Sequence, residues 1–170
     1  MTHLPHWDYY YSLEDDLISV SRYVELSEEN FETHSIHFVR LLLAAASEVD
    51  VVAKKLCGQI LAGSSARNIN EYCAMIVPAF AAIPTVVFGV SATKIRIQPW
   101  QAWGNIPAAN PDWWRAYNDV KHERHKYFRK ANLLNAMSAI AGLYCLIRHL
   151  REDTGMPKPT RFLYIAPDAI

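Results

Sequence analysis

The sequence predicts an all-α bundle of four to five helices with a small β-hairpin inserted, and three observations carry that prediction. Apolar residues recur at helical spacing through several long stretches. Ser, Asn or Asp stands at the head of these stretches, and glycine or proline interrupts or follows them. Between the third and fourth stretches the texture changes to short runs of β-branched residues bounded by turn formers.

Taken in order, Ser12 followed by Asp15 suggests a helix start, and Leu13, Leu17, Val20 and Val24 mark one apolar face, giving a first helix near 12–26. Ser27 to Thr33 is acidic and polar, a short linker. From Ser35 the pattern resumes through Phe38, Leu41, Leu42, Ala45, Val49, Val52, Leu56 and Ile60, until Gly63 and two serines stop it. This is the long central helix. Asn68 or Asn70 caps a third helix that ends or kinks near Pro78 and Pro84. Thr85 to Val90 and the alternating Lys94 to Ile97 read as a hairpin. Asn110-Pro111-Asp112 opens a fourth helix, with proline near its first position, running to about Tyr127. The last helix spans about 129–152 on Leu133, Leu134, Met137, Ile140, Leu143 and Ile147. An irregular tail follows over 153–170, with one short strand expected at Arg161 to Ile165.

At 170 residues the chain fits one domain with a sizeable core. Seventeen basic residues balance seventeen acidic ones, which argues against a large sequence-independent nucleic-acid surface. A local basic patch remains in Lys121, Arg124, Lys126, Arg129 and Lys130, against Glu123 alone. The three scattered cysteines, Cys57, Cys73 and Cys145, read as reduced residues of a cytoplasmic protein, and no secretory signal is expected. The uncharged run between Glu71 and Lys94 is long enough to span a bilayer, but Pro78, Pro84 and Gly89 interrupt it. No membrane partner is therefore expected.

The stretch with most chemical content is Trp113-Trp114-Arg115-Ala116-Tyr117-Asn118-Asp119-Val120-Lys121-His122. Seven residues separate Arg115 from His122, two helical turns, so both project from one face, with Asn118 and Asp119 between them. Trp113, Tyr117, Val120 and Tyr127 form the opposite, apolar face. A guanidinium can hold a phosphate through its planar fork, and an imidazole can move protons near neutral pH. In that chemistry His122 acts on a ribose 2′-hydroxyl and Arg115 neutralises charge building on the phosphate. An ordinary solvated face, with Arg and His in water or paired to Asp119 and Glu123, has the same spacing.

The long helix with its Ser47-Glu48-Val49-Asp50 centre and Lys54-Lys55 resembles the first core helix of the HEPN superfamily, and Trp113 to His122 with the following helix resembles its second half. The family signature is an arginine, four to six residues, and a histidine; Arg115, six residues, His122 is its longest form. The resemblance covers roughly 36–149 and implies a HEPN-like fold. Many HEPN members are metal-independent ribonucleases of toxin–antitoxin and phage-defence systems, with an active site made across a dimer. Carried over, this implies Arg115 and His122 as catalytic, Asn118 as a polar helper and Glu48 as the acid that orients one of them. It implies RNA as substrate, a second copy of the chain as partner, an antitoxin or regulatory protein beside it, and no cofactor. Lys121, Arg124 and Lys126 would hold the RNA. One departure is Ala116, where active members usually carry a polar residue. That keeps open the non-catalytic members, which serve as dimerisation, nucleotide- or protein-binding modules.

Three further constellations bear on that reading. The pairs His3/His6, His34/His37 and His122/His125 have the spacing of a shared metal ligand pair, but the isolated cysteines supply no further ligands, so no metal site is assigned. Trp100, Trp103, Trp113 and Trp114 are placed in the core or an interface in preference to stacking on bases. Glu48, Asp50, Lys54 and Lys55 equally fit the solvated flank of a buried helix.

Overall fold

A computed structural model describes residues 5–151 and 159–167. It contains α1 (Pro5–Val20), α2 (Ile36–Ile60), α3 (Ile69–Ala79), β1 (Phe88–Val90), β2 (Arg96–Ile97), α4 (Asp112–Tyr127), α5 (Leu133–Ile147) and β3 (Leu163–Ile165). The expected helical bundle is present, and its β excursion is larger than a hairpin. β1 pairs antiparallel with β2 and, on its other edge, with β3, giving the order β2-β1-β3.

The caps explain most helix boundaries. Ser35 accepts a hydrogen bond from the Phe38 amide at the head of α2, and Asn68, not Asn70, accepts from the Asn70 and Glu71 amides at the head of α3. Gly63, at φ 80°, turns the chain after α2 in a conformation that glycine takes without strain. The uncharged run from Glu71 to Lys94 is divided among α3, a 3-10 turn at Ile83–Thr85 and β1. No helix among the described residues is long and apolar enough to cross a membrane.

Two helix starts differ from expectation. α1 begins at Pro5, upstream of Ser12, because Trp7 and Tyr10 extend its buried face beyond Leu13 and Leu17. It ends at Val20, so Val24 lies past its end in the turn that follows, packed only partly against the core. α5 begins at Leu133, later than Arg129, because the Asn132 side chain accepts from the Asn135 amide and sets the cap there.

α2 and α5 form the centre of the bundle, with α1, α3 and α4 packed around them. Nearly all of α5 is buried, which makes it the central pillar. One apolar core runs from Trp7 to Leu163, so the fold extends on both sides of 36–149. The tail around β3 is not irregular throughout. The buried Glu14 carboxylate of α1 accepts from the Arg161 and Phe162 amides at 3.0 Å each and from the Tyr10 hydroxyl at 3.2 Å. That carboxylate latches the tail to α1, and β3 then completes the sheet. The rest of the expected tail, residues 153–158 and 168–170, lies outside the described residues.

Candidate functional site on the outer face of α4

The inner side of α4 is an aromatic wall. Trp113, Trp114, Tyr117 and Val120 are buried, and Trp113 meets Trp100 edge-on at 5.1 Å between ring centroids. The Trp113 indole N–H donates to the Pro99 carbonyl at 2.7 Å, and that of Trp100 donates to Gly142 of α5 at 3.1 Å. All four tryptophans singled out from the sequence are therefore core residues. They fix the rotation of α4 about its axis, which decides what faces outward.

Outward come Arg115, Lys121 and His122, all exposed. The helix is unbroken from Asp112 to His122 and then kinks at Glu123, whose φ of −137° and ψ of 57° are non-helical. Arg115 and His122 therefore stay on one helical face, roughly 10 Å apart along the axis at 1.5 Å per residue. Neither glycine nor proline occurs in 121–130, so the residues that usually mark a kink are missing from the sequence. The expected basic stretch is thus bent: Lys121 precedes the kink, Arg124 and Lys126 follow it.

Each expected site residue has a definite place. Arg115 donates from Nη2 to Asp112, one turn earlier. Asn118 is half-buried and donates to the Trp114 carbonyl at 3.1 Å. His122 makes no hydrogen bond among the described residues. Asp119 accepts from Lys130 at 2.6 Å, a bond that ties the segment after the kink back onto the helix. The Lys121 ammonium lies 5.4 Å from the Tyr117 ring centroid. Lys126 pairs with Glu123 at 3.7 Å and lies 4.9 Å from the Tyr127 ring; its pKa is raised by Tyr127 first and then by Glu123 and Asp119. Arg124 is exposed.

A groove of about 580 Å3 brings together Arg115, Asn118, Asp119, Lys130 and Asn135, with Ala116 at its floor and His122 outside it. Ala116 is buried, which places the position after the arginine toward the protein interior. Glu48 has its partner on α1. Its Oε1 is 2.6 Å from Nδ1 of His6 on α1, so within the protomer it serves an α1–α2 contact and orients neither Arg115 nor His122. This contact was not expected, because a helix starting at Ser12 left His6 out of the bundle.

Around α2 the remaining groups are structural. Asp50 accepts from the Tyr72 hydroxyl at 2.8 Å and pairs with Lys54 at 2.5 Å. Of the histidine pairs, His34 lies 5.3 Å from the Phe128 ring, while His37, His122 and His125 are exposed; His3 lies outside the described residues. No three His, Cys, Asp or Glu side chains among the described residues are grouped to hold a metal ion. The cysteines are free thiols, and burial pushes all three up in pKa, Cys145 to about 12, so none is poised as a thiolate.

A second, larger groove was not foreseen. It lies where α4 begins, holds about 1030 Å3 and is lined by Arg96, Gln101, Asn110, Arg115, Asn135 and Ser138 among others. These residues come from β2, the following turn, α4 and α5, and nothing in their sequence spacing marks them as neighbours. Compared with known proteins, the chain matches no family model, no curated protein and no solved structure.

Proposed function

We propose that the protein is a metal-independent endoribonuclease of the HEPN type, acting as a homodimer in which two copies of the outer face of α4 meet over the RNA. The observation that carries this reading is the pairing of an exposed arginine with an exposed histidine, free of hydrogen bonds among the described residues, on one unkinked helical face with a rigid aromatic backing. In this mechanism His122 takes the proton of a ribose 2′-hydroxyl, whose oxygen attacks the adjacent phosphorus. The imidazole of the second copy protonates the departing 5′-oxygen. Arg115 stabilises the charge that accumulates on the phosphoryl oxygens. Lys121, Arg124 and Lys126 hold the flanking phosphates. A place in toxin–antitoxin or phage-defence systems, with an antitoxin or regulatory partner in the cytoplasm, is part of the same proposal.

The alternative is a HEPN-like module that binds without turnover. Two specific observations favour it: Ala116 is buried beside Arg115, and Glu48 is engaged by His6. End-labelled total and transfer RNA, incubated with protein in EDTA beside the His122→Ala variant, separates the two. Cleavage by the parent alone is the expected result. Equal cutting by His122→Ala would overturn the assignment, and no cutting of either RNA would favour the binding module.

A further inference from the structure

The C-terminal strand is held to the body of the protein as an added peptide strand would be. Much of its recognition runs through its backbone. The consecutive amides of Arg161 and Phe162 donate to Oε1 of Glu14 on α1 at 3.0 Å each. The Phe162 carbonyl accepts from the Ser91 amide at 2.8 Å, and the Ala166 amide donates to the Val87 carbonyl at 2.9 Å. Between these bonds β3 pairs with β1, Leu163 opposite Val90, Tyr164 opposite Gly89 and Ile165 opposite Phe88. The side chains of Phe162, Leu163 and Ala166 are buried anchors, whereas Arg161, Tyr164 and Ile165 are exposed. Backbone bonds that give affinity, with a few side-chain pockets that give specificity, characterise strand addition to a sheet edge.

The receiving surface owes its form to other elements. Glu14 is held from its own helix by the Tyr10 hydroxyl at 3.2 Å. Tyr10 is fully buried and stacks on Tyr144 of α5, 5.1 Å between ring centroids. On the facing wall β1 is paired to β2, so its other edge presents the Ser91 amide and the Val87 carbonyl. With the tail gone, the Glu14 carboxylate would keep one hydroxyl donor and β1 would have an open edge. Such a slot is costly to leave empty.

An independent observation shows that the tail does not use the slot completely. Oε2 of Glu14 is buried and has no hydrogen-bond partner among the described residues. A strand that brought a side-chain donor to Oε2 would satisfy an oxygen that the tail leaves alone.

We propose that the slot between α1 and β1 is a binding site for an extended peptide segment of another protein, with residues 160–166 as its occupant in cis. The partner strand places an aromatic, an aliphatic and a small residue where Phe162, Leu163 and Ala166 now sit. It also carries a hydroxyl or carboxamide that reaches Oε2 of Glu14. It displaces the tail by pairing with β1. No residue of the slot lies on the outer face of α4, so RNA cleavage neither requires this site nor excludes it.

Fluorescence anisotropy of labelled peptides added to the whole chain tests this. One peptide has the sequence of residues 159–167, and a set carries serine or asparagine in turn at each of its positions. In the parent the linked tail competes at an effective concentration on the order of millimolar, so binding should be weak. Phe162→Ala loosens the tail and leaves the slot intact, so it should bind the peptides at least tenfold more tightly than the parent. At least one serine or asparagine peptide should bind that variant tenfold more tightly than the native sequence does, and adding Glu14→Gln should abolish the gain. No binding to Phe162→Ala at millimolar peptide, or an affinity indifferent to Glu14→Gln, overturns the proposal. Tightest binding by the native sequence also overturns it, because the slot then suits only this chain's own tail, in cis or from a second copy. Hydrogen exchange of the parent depends on no variant folding. Amides of residues 161–166 should exchange well before those of α5, and faster still with the tightest peptide in excess. Exchange of the tail only together with α5, with or without peptide, overturns the proposal.

Discussion

The two sides of α4 are built for opposite purposes. Its inner side is an indole and phenol wall locked to α5 and the Pro99–Trp103 turn by packing and by an indole hydrogen bond. Its outer side carries Arg115, Lys121 and His122 in water, held among the described residues by local contacts to Asp112 and Tyr117. Surface ion pairs and exposed cations contribute little to stability, whereas buried aromatics contribute a great deal. The difference teaches that the outer side is free to be chosen for chemistry because the inner side already secures the helix.

The strongest way to break this contrast is Trp113→Ala. Loss of the indole and its bond to Pro99 should cost about 3–5 kcal/mol of unfolding free energy in urea. A cost below 1 kcal/mol would mean that the wall does not hold the helix. Next comes an attack from the other side of the same contact. A Cβ on Gly142 would lie 2.9 Å from the Trp113 ring, and that ring is wedged against Trp100, so it cannot swing away. Gly142→Val should destabilise by about 1–3 kcal/mol, read from the same denaturation midpoint. On the outer side, Arg115→Ala and His122→Ala should each stay within about 0.5 kcal/mol of the parent while abolishing any RNA cleavage. Loss of both fold and activity would contradict the division.

The smallest effect concerns protons. His149, just past α5, lies against Phe80 at 4.5 Å, and its pKa is lowered, by burial first and by Arg148 second. Above its ordinary value of 6.5 the imidazole is neutral in both folded and unfolded chains and adds no pH dependence. As pH falls from there toward the lowered folded value, the unfolded chain takes up more protons and stability drops. His149→Phe should remove part of the acid sensitivity of the unfolding midpoint below that pH. An unchanged pH profile would show that His149 is as well solvated folded as unfolded.

Local patterns were well legible. Ser35, Asn68 and the apolar spacing placed α2 and α3, and Pro111 marked the head of α4. The tryptophans, expected in the core or an interface, lie in the core, where large aromatic side chains gain most from burial. The candidate site was legible only along one helix. Arg115, Asn118 and His122 share a face because spacing alone sets it. The Glu48–His6 contact was not legible, because His6 sits in helical turns upstream of the start expected at Ser12.

The sequence by itself determined where helices form and which side of each is apolar, since periodicity and caps act over a few residues. Only the tertiary structure decided which distant groups meet. Glu14 meets Arg161 and Phe162 across the length of the chain, and the tail thereby becomes the third strand of a sheet expected to have two. Arg96, Arg115 and Ser138 likewise converge on one groove from β2, α4 and α5. Such meetings depend on how whole elements pack against the core, and no pattern over a few residues encodes that packing.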